Sequence, residues 1–69
     1  MTTFQHIAET IRQRRRELNI SQQELAALTG IGLATLNRIE SGNYIPALRT
    51  LLPLVDTLGL RLVLQPKQL

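Results

Sequence analysis

Apolar residues recur along this chain at intervals of three and four, punctuated by polar turns, until the period changes at Leu60. Phe4, Ile7, Ala8, Ile11 and Leu18 share one face of a first helix expected over residues 3–18. Thr2 or Thr3 can cap its start, and Asn19 breaks the pattern. Ser21-Gln22-Gln23-Glu24 has the S-x-x-E form of a capping box, in which the Ser21 hydroxyl accepts from the Glu24 amide and the Glu24 carboxylate returns to Ser21. Ile20 before the cap and Leu25 four residues into the helix suit a hydrophobic staple. Leu25, Ala26 and Leu28 supply the apolar contacts of this short second helix, and Gly30 closes it in a left-handed conformation.

A third helix is expected over Leu33 to Ser41, with Leu36 and Ile39 pointing inward and Ile31 completing the seam. Thr35, Asn37 and Arg38 lie off that seam, and Gly42-Asn43 ends the helix. Leu48, Leu51, Leu52, Val55 and Leu58 form the stripe of a fourth helix closed by Gly59. Pro53 falls inside that pattern and predicts a kink or a restart. From Leu60 the chain alternates: Leu60, Leu62 and Leu64 against Arg61, Val63 and Gln65, with Pro66 as a stop. No other segment reads as a strand, and a lone strand leaves its backbone donors and acceptors unpaired. A second copy supplying the same segment would pair them as an antiparallel ribbon across a homodimer. A short fifth helix over the same residues is the alternative.

Sixty-nine residues are read as a single domain, 1–69, of the size that is only marginally stable alone. With no cysteine and one histidine, His6, disulfides are excluded and a zinc site is argued against, which leaves helix packing and a partner chain. Eight Lys+Arg against five Asp+Glu give a net charge of +3, a mild bias toward a polyanionic partner. Arg14-Arg15-Arg16 complements the dipole at the end of the first helix. Arg14 and Arg16 read as a solvated face, whereas Arg15, seven residues after Ala8, tends inward. No apolar run could span a membrane, and the charges of MTTFQHIAETIRQRRR follow the apolar residues, the reverse of a secretory signal. The expected location is cytoplasmic. Ser21, His6 and Asp56 do not make a triad, because capping engages Ser21 and nothing orients His6 toward it. No phosphate-cradling glycine loop is present either, so neither enzyme activity nor a cofactor is expected.

Two short helices joined by so tight a turn form the unit that lays its second helix in the DNA major groove. With Ser21-Gln22, Leu25-Ala26, Gly30, Ile31, Thr35, Leu36, Arg38, Ile39, Glu40, Gly42 and Pro46 in place, residues 4–59 resemble the Cro/C1-type (Xre-like) helix-turn-helix family. The resemblance implies an all-α, lambda-repressor-like four-helix domain that binds a double-stranded DNA operator as a transcriptional repressor. It implies groove-facing roles for Gly32, Leu33, Ala34, Asn37 and Arg38, with Thr35 beside them on the interface. Gln22 would contact a phosphate and buttress the third helix, Ser41, Asn43 and Tyr44 would touch phosphates, and Arg15 and Glu40 would form an ion pair.

The tail LGLRLVLQPK departs from the phage-repressor form and looks like the HipB-type antitoxins. That likeness implies a C-terminal strand, residues 60–65, pairing across the dimer, and a HipA-type kinase toxin as partner. A stand-alone regulator, or a helical interaction module without DNA binding, are the alternatives. Gly32, Leu33 and Ala34 stand where the family often carries Gln, Lys or Arg, so polar readout falls on Asn37, suited to adenine, and Arg38, suited to guanine or a phosphate. Leu33 and Ala34 can meet thymine methyls, and much of the affinity would come from phosphates and DNA shape.

Overall fold

A computed structural model describes residues 3–67. Within them the chain forms four helices: α1 (Thr3–Glu17), α2 (Gln22–Thr29), α3 (Leu33–Ser41) and α4 (Leu48–Thr57). Helix α1 packs on α3, and α2 packs on both α3 and α4. Ile11, Leu25, Ala26, Leu36, Ile39, Leu51, Leu54, Val55 and Leu58 make one continuous core. Removing each large side chain of that set from water stabilises the fold by about 1.5–3 kcal/mol. Phe4, Ile7, Ile20, Ile31, Tyr44 and Leu60 close over its edges.

Local chemistry explains where each helix begins and ends. Ser21 is the N-cap of α2: its Oγ accepts from the Glu24 amide at 3.0 Å, and the Ser21 amide donates to the Glu24 carboxylate at 2.8 Å. The capping box is therefore complete, and it satisfies two donors that a helix start otherwise leaves open. Gly30, at φ 75°, closes α2 and donates to the Ala26 carbonyl. Gly42, at φ 81°, ends α3 in the same left-handed conformation. Thr3 is already the first residue of α1, and Thr2, the other capping candidate, lies outside the described residues.

Several apolar positions differ from the periodic reading. Helix α1 stops at Glu17 and Asn19 takes φ 57°, so the backbone turns away before Leu18 can join the core, leaving Leu18 41% exposed. Leu28 is also exposed, because the side of α2 that is buried carries Leu25 and Ala26. In α4 the buried face is Leu51, Leu54, Val55 and Leu58, while Leu48 and Leu52 face outward. Pro53 sits within one uninterrupted α4, so the helix does not restart there. Pro53 and Arg49 are both exposed, which lets solvent satisfy the carbonyl that a proline at this position cannot pair.

Beyond α4, Gly59 turns the chain at φ 70° and the Leu60 amide donates to the Val55 carbonyl at 3.0 Å. Leu60 is half-buried against the core. Residues 61–67 are exposed and form neither helix nor strand, so the fifth-helix alternative is not the conformation adopted. Leu62, Val63 and Leu64 all face solvent, Leu64 almost entirely.

Candidate nucleic-acid interface

Helix α3 divides cleanly into a buried side and an outer side. Leu36, Ile39 and Glu40 are buried, whereas Leu33, Ala34, Asn37, Arg38 and Ser41 are exposed. Thr35 is half-buried at the boundary. Gly32, the N-cap, is exposed and adds no side chain to the first turn. The positions named from the sequence as groove-facing thus share one accessible surface. Gln22, at the first residue of α2, is half-buried beside it.

Glu40 holds this arrangement from below. It is the one buried charged residue among those described, 3% exposed, and its carboxylate faces Arg15 of α1. Arg15 Nε donates to Glu40 Oε2 at 2.8 Å and Arg15 Nη2 donates to Oε1 at 3.0 Å, a two-pronged ion pair. The remaining nitrogen, Nη1, donates to the Ile20 carbonyl at 3.0 Å, just ahead of α2. Gln22 Nε2 donates to Glu40 Oε1 at 3.1 Å. One carboxylate therefore ties together α1, α2 and α3. Among the described residues, no buried side-chain nitrogen or oxygen lacks a partner.

The outer side chains are ordered by a second layer of contacts. Asn37 Nδ2 donates to Gln22 Oε1 at 3.3 Å. The Arg38 guanidinium lies over the ring of Tyr44. The Ser41 hydroxyl donates to the Arg38 carbonyl at 2.6 Å and accepts from the Asn43 amide at 3.3 Å, fastening the turn after α3. Arg16 is exposed, as read from the sequence, and with Arg12, Arg15, Gln22, Asn37 and Ser41 it lines a cleft between α1 and α3.

Two arginines have roles that the periodicity did not reveal. Arg14 is not a solvated residue: its Nε donates to the Leu58 carbonyl at 2.9 Å, holding the end of α4 to α1. Its ion pair with Glu17, at 3.4 Å and largely exposed, adds little. Arg12 Nη1 donates to the Glu40 carbonyl at 2.6 Å, in the last turn of α3. Arg12 stands three residues before Arg15, which places it on the same side of α1; that spacing was the available signal. His6 is exposed, and among the described residues no three His, Asp or Glu side chains converge as a metal set.

The Helix-turn-helix family matches residues 11–65, from the middle of α1 through the tail. The chain belongs to that family. Its Xre-like character follows from the motif residues and the four-helix order together. Within the helix-turn-helix unit, α2 and α3 are the two helices and residues 30–32 the turn. The chain is 35% identical over 65 residues to a Sinorhizobium fredii protein named as an uncharacterized HTH-type transcriptional regulator, covering 94% of this chain and 33% of that protein. It is 42% identical over 52 residues to a Haemophilus influenzae protein of the same description, covering 75% of this chain and 53% of that one. The chain thus spans between a third and about half the length of these relatives. No helix among the described residues is long and apolar enough to cross a membrane.

Proposed function

We propose that this chain is a DNA-binding transcriptional regulator that inserts α3 into the major groove of an operator. The observation that carries this reading is the two-sidedness of α3. Asn37 and Arg38 stand exposed on a helix fixed from beneath by Leu36, Ile39 and Glu40. A rod anchored on one side, with hydrogen-bonding side chains on the other, suits reading of base edges. Both relatives carry the name of HTH-type transcriptional regulators, which supports the same role. Gln22, Ser41, Asn43 and Tyr44 flank the helix where phosphates would lie, and Arg16 adds a free cation at the α1 edge.

The working form is a homodimeric repressor. Residues 60–65 of two copies pair as an antiparallel ribbon, placing the two α3 helices in successive major grooves, ~34 Å apart. What supports this is the exposed Leu62, Val63 and Leu64 on a tail that forms no strand among the described residues. Residues 4–59 serve as the DNA-reading part and 60–65 as the dimerisation part. The likeness of the tail to HipB-type antitoxins extends the reading to a toxin–antitoxin pair in which a HipA-type kinase would be sequestered. Co-expression with the neighbouring reading frame tests it: a stable co-purifying kinase supports the antitoxin role, and a lone homodimer refutes it.

A mobility-shift titration against operator duplex over a range of salt tests the DNA reading itself. Log affinity is expected to fall linearly with log salt, by about 0.9 per neutralised phosphate. Binding that is absent at low ionic strength, or indifferent to salt, overturns the assignment.

A further inference from the structure

The hydrogen bonds from Glu40 outward run in one direction. A carboxylate only accepts, so the group Gln22 turns toward Glu40 must be its NH2, as the 3.1 Å contact from Nε2 has it. Gln22 Oε1 is then forced to point the other way, and it accepts from Asn37 Nδ2 at 3.3 Å. A carbonyl oxygen draws a donor, so Asn37 must offer its NH2 to Gln22. Neither amide can flip without setting oxygen against oxygen or NH2 against NH2. The buried carboxylate, itself held by two nitrogens of Arg15, thereby dictates the orientation of an exposed side chain two links away.

We infer that Gln22, locked by Glu40, is a positioning residue that sets Asn37 to read adenine and to reject guanine. The inference rests on the reading of α3 as a recognition helix. Asn37 has two N–H donors and one oxygen acceptor. With one N–H committed to Gln22, what remains to face outward is one donor beside one acceptor. Adenine offers the complement in the major groove, the N7 acceptor next to the N6 amino donor. Guanine offers two acceptors, N7 and O6, and would leave the Asn37 oxygen facing an oxygen. Gln22 keeps a second N–H, directed away from Glu40, for a phosphate, so positioning and backbone contact are compatible.

The test uses the full chain as wild type, Asn37→Ala, Gln22→Ala and Gln22→Met. Both Gln22 variants leave the Arg15–Glu40 pair in place and substitute good helix formers at the first residue of α2. Each protein is passed through selection from a randomised duplex library, and the enriched sequences are compared position by position. Asn37→Ala is expected to erase preference at one A·T position per half-site. The Gln22 variants are expected to admit guanine at that same position, lowering the adenine-over-guanine ratio on the order of tenfold, with other positions unchanged. If they weaken all duplexes by one common factor and keep the adenine preference, Gln22 is a phosphate contact only and the inference falls. It falls equally if Asn37→Ala alters no position. A wild-type chain that enriches no sequence overturns the DNA-binding reading, a distinguishable result. NMR of the unbound wild type gives an independent check that needs no variant: one Asn37 Nδ2 proton is expected to exchange with water more slowly than the other. Two equally fast protons would overturn the lock.

Discussion

Arg38 stacks its guanidinium over Tyr44, 4.5 Å from the ring centre. Arg38 belongs to α3 and Tyr44 to the segment that follows it, so the ring holds a long cation in place before any ligand arrives. Such a stack contributes about 0.5–1 kcal/mol at an exposed site. Pre-ordering matters more than that figure, because Arg otherwise loses most of its rotamer freedom on binding. Tyr44→Phe keeps the ring and is expected to lose only the hydroxyl's phosphate contact, and Tyr44→Leu to lower operator affinity further while keeping the fold. Arg38→Ala is expected to cost ~1–3 kcal/mol of specific binding if Arg38 reads a base. Fluorescence anisotropy with an operator duplex measures all three, and an Arg38→Ala protein that binds unchanged removes the assignment.

The Arg15–Glu40 pair makes a prediction about stability rather than affinity. Arg15 is 12% exposed and Glu40 3% exposed, so removing either charge strands the other in a poorly solvated site. Arg15→Met alone, or Glu40→Leu alone, is expected to cost ~3–5 kcal/mol, and the double variant much less than the sum. Urea unfolding followed by circular dichroism reads the cycle. Additive losses would show that the two residues act independently.

Gly42 and Gly32 separate strain from contact. At φ 81° an alanine at Gly42 enters the left-handed region, although its Cβ would make only ordinary contacts, with the Gln5 side chain at 3.5 Å and with Ala8 Cβ and Gln5 Cα at 3.9 Å. Gly42→Ala is therefore expected to destabilise by about 1–2 kcal/mol through the backbone alone. Gly32 is extended at φ −62° and caps α3 without a side chain. Gly32→Ser is expected to leave stability unchanged or raise it by a few tenths of ~1 kcal/mol, while lowering DNA affinity by crowding the groove face. Thermal melts beside binding curves decide both, and a Gly32→Ser protein with undiminished affinity would remove Gly32 from the interface.

The tail supplies the test of assembly. Leu62 and Leu64 are exposed in the single chain, so Leu62→Glu with Leu64→Glu should leave the monomer folded. Sedimentation is expected to find the wild type dimeric and the double variant monomeric, with operator affinity lost in parallel. A variant that still dimerises refutes the ribbon.

What the sequence disclosed and what it hid divide along a physical line. Capping and turn chemistry is local, so the Ser21–Glu24 box, Gly30, Gly42 and the bounds of α3 were legible from neighbouring residues. Helix α4 was legible as a helix and in Leu51, Val55 and Leu58, but Leu48 and Leu52 were placed inward and Leu54 was missed. Leu48 and Leu52 have the same spacing to Leu51 and Val55 as Leu54 and Leu58 do, and only packing against the other helices selects among them. Arg14 and Arg12 were misread or missed because their partners are backbone carbonyls at the ends of other helices, which carry no side-chain signature. The pairing of Arg15 with Glu40 came through family resemblance, since residues so far apart in the chain leave no local trace. The conformation of residues 60–65 could not follow from one chain if its hydrogen bonds belong to a second.

Helix α1 carries Arg12, Arg14 and Arg15, and each reaches a carbonyl elsewhere: Glu40, Leu58 and Ile20. These arginines work as internal rivets, so the formal charge overstates what a polyanion meets at the surface. Non-specific attraction to DNA scales with the cations free to replace counterions. With three of its arginines so engaged, the molecule would linger less on unrelated genome and depend the more on its few base-reading atoms to stop. Raising its loyalty to random DNA would take new surface lysines, because these three guanidinium groups cannot be released without loosening the helices they join.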